Sequence, residues 1–185
     1  MLYVISGAAG SGKSTILPLL HASLPTVQWH DFDERWKGGG KVERQHLLEE
    51  WMQTALHAEG DFGLLGPCPL GEVLAAPSTP RLPGVRHLLL DVSDVERIAR
   101  LRARGDGLAS QDMLNWAAWM RAHQAYPDWR PDVLMDGSWH EMCWARWHER
   151  LGVSWPGVTV DVTGLTPERT AMCVVTWING PAAPH

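Results

Sequence analysis

GAAGSGKST, residues 7–15, stands between an apolar run, Leu2 to Ser6, and a helix-like stretch from Lys13 to about Ser23. Glycine weakens regular structure. Three of them in six residues, Gly7, Gly10 and Gly12, therefore mark a place where bare backbone is required. The spacing Gly7-x-x-x-x-Gly12-Lys13-Ser14 is that of a phosphate-binding loop. Successive backbone N–H groups turn inward around a phosphate, and the helix that begins near Lys13 adds its positive end. The pattern assigns Gly7, Ala8, Ala9, Gly10, Ser11, Gly12, Lys13, Ser14 and Thr15 to a bound nucleoside triphosphate. Lys13 would reach the β- and γ-phosphates, and the Ser14 hydroxyl would ligate Mg²⁺.

Outward from this loop the chain alternates strand and helix. Strands are expected at Leu2–Ser6, Val27–His30, Phe62–Leu65, Val85–Val92 and Val158–Val162, each a short apolar or β-rich run. Helices are expected at Lys13–Ser23, Val42–Glu59, Val95–Arg104, Gln111–Ala125, Ser138–Leu151 and Pro167–Ile178. Ser93 or Asp94 can cap the third of these, and Thr166 with Pro167 opens the last. The proline-rich segment 67–84 reads as loop with one helical turn. Alternation of this kind makes a parallel, doubly wound α/β sheet. One domain over residues 1–180 is expected, with a helical insertion over 105–150 acting as a lid, and a flexible tail at 181–185.

Composition narrows the partners. The net charge is −5, so nothing attracts the chain as a whole to nucleic acid or an anionic membrane. No run approaches the roughly 20 apolar residues of a membrane helix. The apolar start is too short for a signal peptide and lacks a basic flank. Cys68, Cys143 and Cys173 form no CxxC pair, which suits reduced thiols in the cytoplasm. HEMCW, residues 140–144, has Trp where a second zinc-binding His would stand, and Cys68 has no partner placed to activate it. Seven of the eleven tryptophans lie between Trp116 and Trp155. They are expected to form the core of the insertion, with one or two free to stack on a flat substrate.

Two further clusters carry chemistry. In HDFDERW, residues 30–36, Asp31 and Asp33 close a strand at the ligand-facing edge of the sheet. Asp31 suits the magnesium side and Asp33 the proton of an attacking hydroxyl. The two side chains are expected to leave the chain on opposite sides and so to do different jobs. Arg35 and Trp36, before three glycines, can clamp a substrate. In DVSDVERIARLRARGDG, residues 91–107, Arg100 and Arg104 share one helix face before a glycine break. Arginines so placed can neutralise the charge of a transferring phosphoryl group.

Together GAAGSGKST, DFD (31–33) and RLRAR (100–104) resemble the small-molecule and nucleotide kinases of the phosphate-loop superfamily, among them adenylate, shikimate and gluconate kinases. The DFD motif is most similar to the Asp-x-Asp of shikimate kinases. VDVTGLTPERTAMCVVTWI, residues 160–178, resembles their terminal strand and helix, where the intervening loop borders the adenine. The resemblance implies strand order 2-3-1-4-5, ATP and Mg²⁺ as cofactors and a small hydroxyl- or phosphate-bearing acceptor. It implies catalytic roles for Lys13, Asp33, Arg100 and Arg104, a metal site at Ser14 and Asp31, and acceptor contacts at Asp31, Asp33, Arg35 and Gly66. The third strand ends Leu64-Leu65-Gly66 without the usual acidic residue, so Asp31 takes the metal role in preference to Asp91. A nucleotide-binding hydrolase or regulatory module is the alternative, and a polynucleotide end kinase a third that the acidic balance disfavours.

Overall fold

The computed structural model describes residues 1–150 and 157–180. The expected tail and Leu151 lie outside the described residues. Leu2–Ser6 forms β1, the middle strand of an all-parallel five-stranded sheet. The others are β2 (Val27–Asp31), β3 (Asp61–Gly66), β4 (Val85–Asp91) and β5 (Gly157–Asp161), in the order β2-β3-β1-β4-β5. Val4 lies opposite Leu64 on one side and His87 on the other. Both the doubly wound architecture and the order are those the sequence implied. A strand paired on both edges and covered on both faces has no solvated side, and every residue of LYVIS is buried.

The two faces follow the period of two along β1. Tyr3 and Ile5 join Ile16 and Leu20 of α1 (Lys13–Ser23) and Ala171, Val174 and Ile178 of α8 (Pro167–Asn179). Leu2 and Val4 join Leu48, Trp51 and Met52 of α2 (Lys41–His57) and Val73 of α3 (Leu70–Ala75). Between β4 and β5 run α4 (Asp94–Arg104), α5 (Gln111–Ala125), α6 (Asp132–Met135) and α7 (Ala145–Arg150). Trp119 and Trp147 are buried with Ala8, Leu89, Met120 and Leu134. The tryptophan-rich segment thus shares its core with the sheet and the phosphate-loop residue Ala8, while Trp129 is half exposed.

Most boundaries agree within two residues, and the differences have causes. The expected helix from Ser138 is helical only from Ala145. The Trp139 N–H donates to Gln45 Oε1 at 2.7 Å and the Cys143 N–H to the Ala75 carbonyl at 2.8 Å, so tertiary bonds take the amides a helix would use. After Asp31 the chain leaves the extended path and makes a 3₁₀ turn, Phe32–Arg35. Asp31 caps that turn, accepting from the Asp33 N–H at 3.0 Å. Residues two apart share one face of an extended strand, so the expectation that Asp31 and Asp33 leave on opposite sides is corrected: the strand stops at Asp31, and the turn sets the direction of Asp33.

Two imidazoles sit in the α2–α3–α5 layer. His87 Nε2 donates to the Cys68 carbonyl at 2.9 Å, and His123 Nε2 accepts from the Gly71 N–H at 3.0 Å. Burial lowers the pKa to about 4 for His87 and, with the nearby His87 adding to it, to about 3 for His123. Both are neutral when folded and titrate near 6.5 when unfolded. The unfolded chain therefore takes up protons first, and stability falls as pH drops below 6.5 toward 4. Urea unfolding at pH 7.0 and pH 5.5 should differ by about 1–2 kcal/mol per histidine, and His87→Gln should lose its share of that slope. An unchanged slope in the variant would show that His87 is not held neutral.

Candidate phosphate-loop site

The loop leaves β1 at Ser6 and enters α1 at Lys13. Gly10 and Gly12 have φ of 82° and 93°, a left-handed conformation that side-chain-bearing residues rarely adopt. Gly12 caps α1 without a side-chain hydrogen bond, whereas hydroxyls of Ser93, Ser110 and Thr166 cap α4, α5 and α8. The first amides of α1 are so presented to an anion. Lys13 Nζ lies back across the loop, 2.5 Å from the Gly7 carbonyl, 3.2 Å from the Ala8 carbonyl and 3.4 Å from Ser11 Oγ. Burial lowers its pKa to about 8, against the opposing pull of Asp31 and Asp33.

Ser14 Oγ donates to Asp31 Oδ2 at 2.8 Å. The two residues assigned to the metal thus converge from α1 and the end of β2. A hydroxyl and a carboxylate are the hard oxygen donors that suit Mg²⁺, and the set fits an ion that takes few protein ligands and shares the rest with phosphates. Among the described residues no group of three or more His, Cys, Asp or Glu could hold a metal by itself. The Asp33 carboxyl lies above the usual carboxylate range, chiefly through lost hydration and then through Asp31, while Lys13 and Arg104 pull it down. Asp33, Lys13 and Arg104 therefore act on one another across one cleft.

Arg100 Nη1 donates to the Gly10 carbonyl at 3.1 Å and Nη2 to Glu96 at 2.5 Å. Arg104 pairs with Asp106 at 2.6 Å and is half exposed. Both line a groove of about 470 Å³ with Gly10, Gly12, Thr15, Leu165 and Pro167. One wall of that groove is the segment between β5 and α8, where the resemblance puts the adenine. Two residues expected at the acceptor have contacts within the chain. Arg35 stacks 3.8 Å over Trp51 and donates to Thr54 at 2.9 Å, which holds it against α2 beside a separate groove. At Gly66 a Cβ would come within 2.5 Å of Phe32 Cβ. This glycine seats the Asp31–Asp33 turn on β3 by close packing.

The residue that sequence reasoning passed over is Arg97, wholly buried. Its Nη1 donates to the Ala9 carbonyl at 2.7 Å, and its Nη2 to Asp91 Oδ1 at 2.8 Å. Asp91 also accepts from Arg121 of α5 at 3.2 Å, and Arg121 bridges on to Asp94. Asp91 is thus occupied in holding the loop from behind. The available signal was position: Arg97 precedes the buried Leu101 by four residues, so it lies on the inward face of α4.

No protein-family model matches the chain, and no curated protein matches it in sequence. Solved structures match it along nearly its whole length. A sugar kinase from Janibacter sp. HTCC2649 is 15% identical, with 100% of this chain and 98% of that one covered and a TM-score of 0.59. Shikimate kinase from Acinetobacter baumannii is 12% identical, covering 96% and 91%, with a TM-score of 0.56. Deoxyadenosine kinase from M. mycoides is 14% identical, covering 97% and 100%, with a TM-score of 0.55. Together these likenesses show the fold, that of the phosphate-loop kinases.

Two outcomes are expected of this geometry. A lysine that pairs with bound phosphates must be protonated; if Lys13 does so, affinity for a fluorescent ATP analogue should be flat below pH 8 and fall by up to tenfold per pH unit above it. Lys13→Met should abolish that fall, and a flat wild-type profile from pH 7 to 9.5 would refute it. Arg97→Gln should weaken nucleotide binding about tenfold or more, because the Ala9 carbonyl loses a charged donor and Asp91 its buried partner. Arg97→Lys should recover little, since one ammonium cannot span both sites. Wild-type affinity in Arg97→Gln would make the bond incidental to the loop.

Proposed function

We propose that the protein transfers the γ-phosphate of ATP, with Mg²⁺, to a hydroxyl of a small molecule. The observation that carries this reading is the convergence on one cleft of the glycine loop with Lys13, the Ser14–Asp31 pair and a second, less acidic carboxylate, Asp33. A site that only binds nucleotide has no use for the last of these. The likeness in fold to sugar, shikimate and deoxyadenosine kinases supports the same class of reaction. The three free cysteines suit a reducing, ATP-holding compartment such as the cytoplasm.

In this reading the loop amides and Lys13 cradle the β- and γ-phosphates, and the adenine rests in the groove beside Leu165 and Pro167. Ser14 and Asp31 hold the magnesium ion, which when bound supplies charge neutralisation at the phosphates. Asp33 accepts the acceptor's hydroxyl proton as its oxygen bonds to the γ-phosphorus and the bond to the bridging oxygen of ADP breaks. Arg100 and Arg104 neutralise charge on the equatorial oxygens. Each must exchange its present partner, the Gly10 carbonyl and Glu96 for one and Asp106 for the other, for phosphate.

ADP release measured across a metabolite library should exceed the acceptor-free rate for at least one compound. With that acceptor, Asp33→Asn should cut turnover by about 10²–10⁴-fold and leave the magnesium requirement near normal. Asp31→Asn should instead raise the Mg²⁺ concentration needed for half-maximal activity. A silent Asp31→Asn beside a strong magnesium defect in Asp91→Asn would move the metal to the end of β4 and overturn the assignment.

A further inference from the structure

The groove beside the phosphate loop is built from segments far apart in the chain. Gly10 and Gly12 of the loop line it on one side, and Leu165 and Pro167, at the entry to α8, on another. A single side chain joins the two. Glu96, in the first turn of α4, accepts from the Gly164 N–H through Oε2 at 2.8 Å and from Arg100 Nη2 through Oε1 at 2.5 Å. Arg100 carries the connection on, its Nη1 donating to the Gly10 carbonyl at 3.1 Å. A Cβ at Gly12 would lie 3.7 Å from the same nitrogen, so this guanidinium borders the end of the loop where α1 begins.

We infer that Glu96 is a positioning residue for the nucleotide: through Gly164 it fixes the turn that carries the base wall, and through Arg100 it holds in reserve a cation that the phosphates take over. The inference rests on the nucleotide-binding part of the reading above. Glu96 shares the first task with Ser93, whose N–H donates to Thr163 Oγ1 at 2.8 Å. Two successive residues of the turn, Thr163 and Gly164, are thereby fixed to the start of α4. Leu165, which lines the groove, follows them directly.

The two arginines that hold loop carbonyls differ in what they can give up. Arg97 is wholly buried against Asp91, and moving it would strand a charge. Arg100 and Glu96 each keep 28% of their side-chain surface in water. A pair so exposed, four residues apart on one helix, is weak, and a polyphosphate with several charged oxygens competes for the guanidinium. Glu96 then keeps Gly164, and an ionised carboxylate on a backbone N–H is a strong hydrogen bond. Both contacts hold its carboxyl below the usual range, Gly164 more than Arg100. The bond that stays is the one to the base wall.

Inorganic tripolyphosphate and ATP separate the two roles, each measured at fixed Mg²⁺ by displacement of a fluorescent ATP analogue. Glu96→Gln keeps an oxygen for Gly164 but no charge for Arg100. Both ligands should then bind about threefold to tenfold tighter, with their affinity ratio as in the wild type. In an Arg100→Ala background the same change should bring about twofold or less, the share of a removed surface charge. No gain in the single variant, or an equal gain without Arg100, overturns the reserve role. Glu96→Ala removes the acceptor for Gly164 as well, and ATP should lose about threefold or more of its advantage over tripolyphosphate. An unchanged advantage overturns the role at the base wall. The readout is binding, so either failure leaves phosphotransfer to be decided by the acceptor screen. A wild-type protein that binds neither ligand overturns the nucleotide reading and the inference together.

Discussion

The chain must leave the central strand of a parallel sheet at Ser6 and be helical by Lys13. The carbonyl and amide groups of residues 7–12 lie where no ladder partner can reach them, at the edge where all five strands end. Backbone groups so placed need partners from elsewhere. The carbonyls find cations: Lys13 at Gly7 and Ala8, Arg97 at Ala9, Arg100 at Gly10. One amide, that of Ser11, turns back to the Ala8 carbonyl at 3.3 Å. With its carbonyls held by three positive groups and an uncapped helix N-terminus at its end, the loop is suited to an anion.

That arrangement passes its demands to the rest of the molecule. Arg97 is wholly buried, and a buried guanidinium needs a carboxylate, which Asp91 supplies. Asp91 lies at the end of β4, level with the loop because β4 pairs with β1 in register. Arg121 completes the cluster from α5 and so ties the tryptophan-rich layer to the site. The same logic repeats between α2 and α3, where Glu72, wholly buried on α3, is matched by Arg44. At the loop itself Lys13, Asp31 and Asp33 act on one another.

Much of this was legible in the chain. The loop, the strands β1 and β4, the terminal strand and helix, and the sheet order implied by the resemblance all stand in the structure, because they rest on local patterns. Ser14 and Asp31, whose side chains meet in the structure, each sit next to an element boundary that turn chemistry marks. The 3₁₀ turn at Phe32–Arg35 was not, because Gly66 makes room for Phe32 from another strand. Nor was the irregular path of 138–144, whose amides are taken by Gln45 and Ala75. Arg35 read as a substrate clamp from its neighbours in sequence, yet Trp51, sixteen residues on, offers it a ring face.

What the sequence by itself determined is the glycine loop between β1 and α1 and the parallel α/β frame that carries it, since both follow from residue types at short fixed spacing: glycine where φ is positive, lysine and serine at the first helical turn, apolar runs of strand length. What only the tertiary structure decided is which charges are free. Arg44, Arg97, Arg100, Arg104 and Arg121 are alike in the sequence. The fold buries one of them behind the loop, neutralises two against carboxylates 28 and 30 residues away, and leaves Arg100 and Arg104 at the rim, each paired with a carboxylate a few residues away. The physical reason is that an ion pair depends on distance and on exclusion of water, and both are properties of packed surfaces that local spacing does not encode.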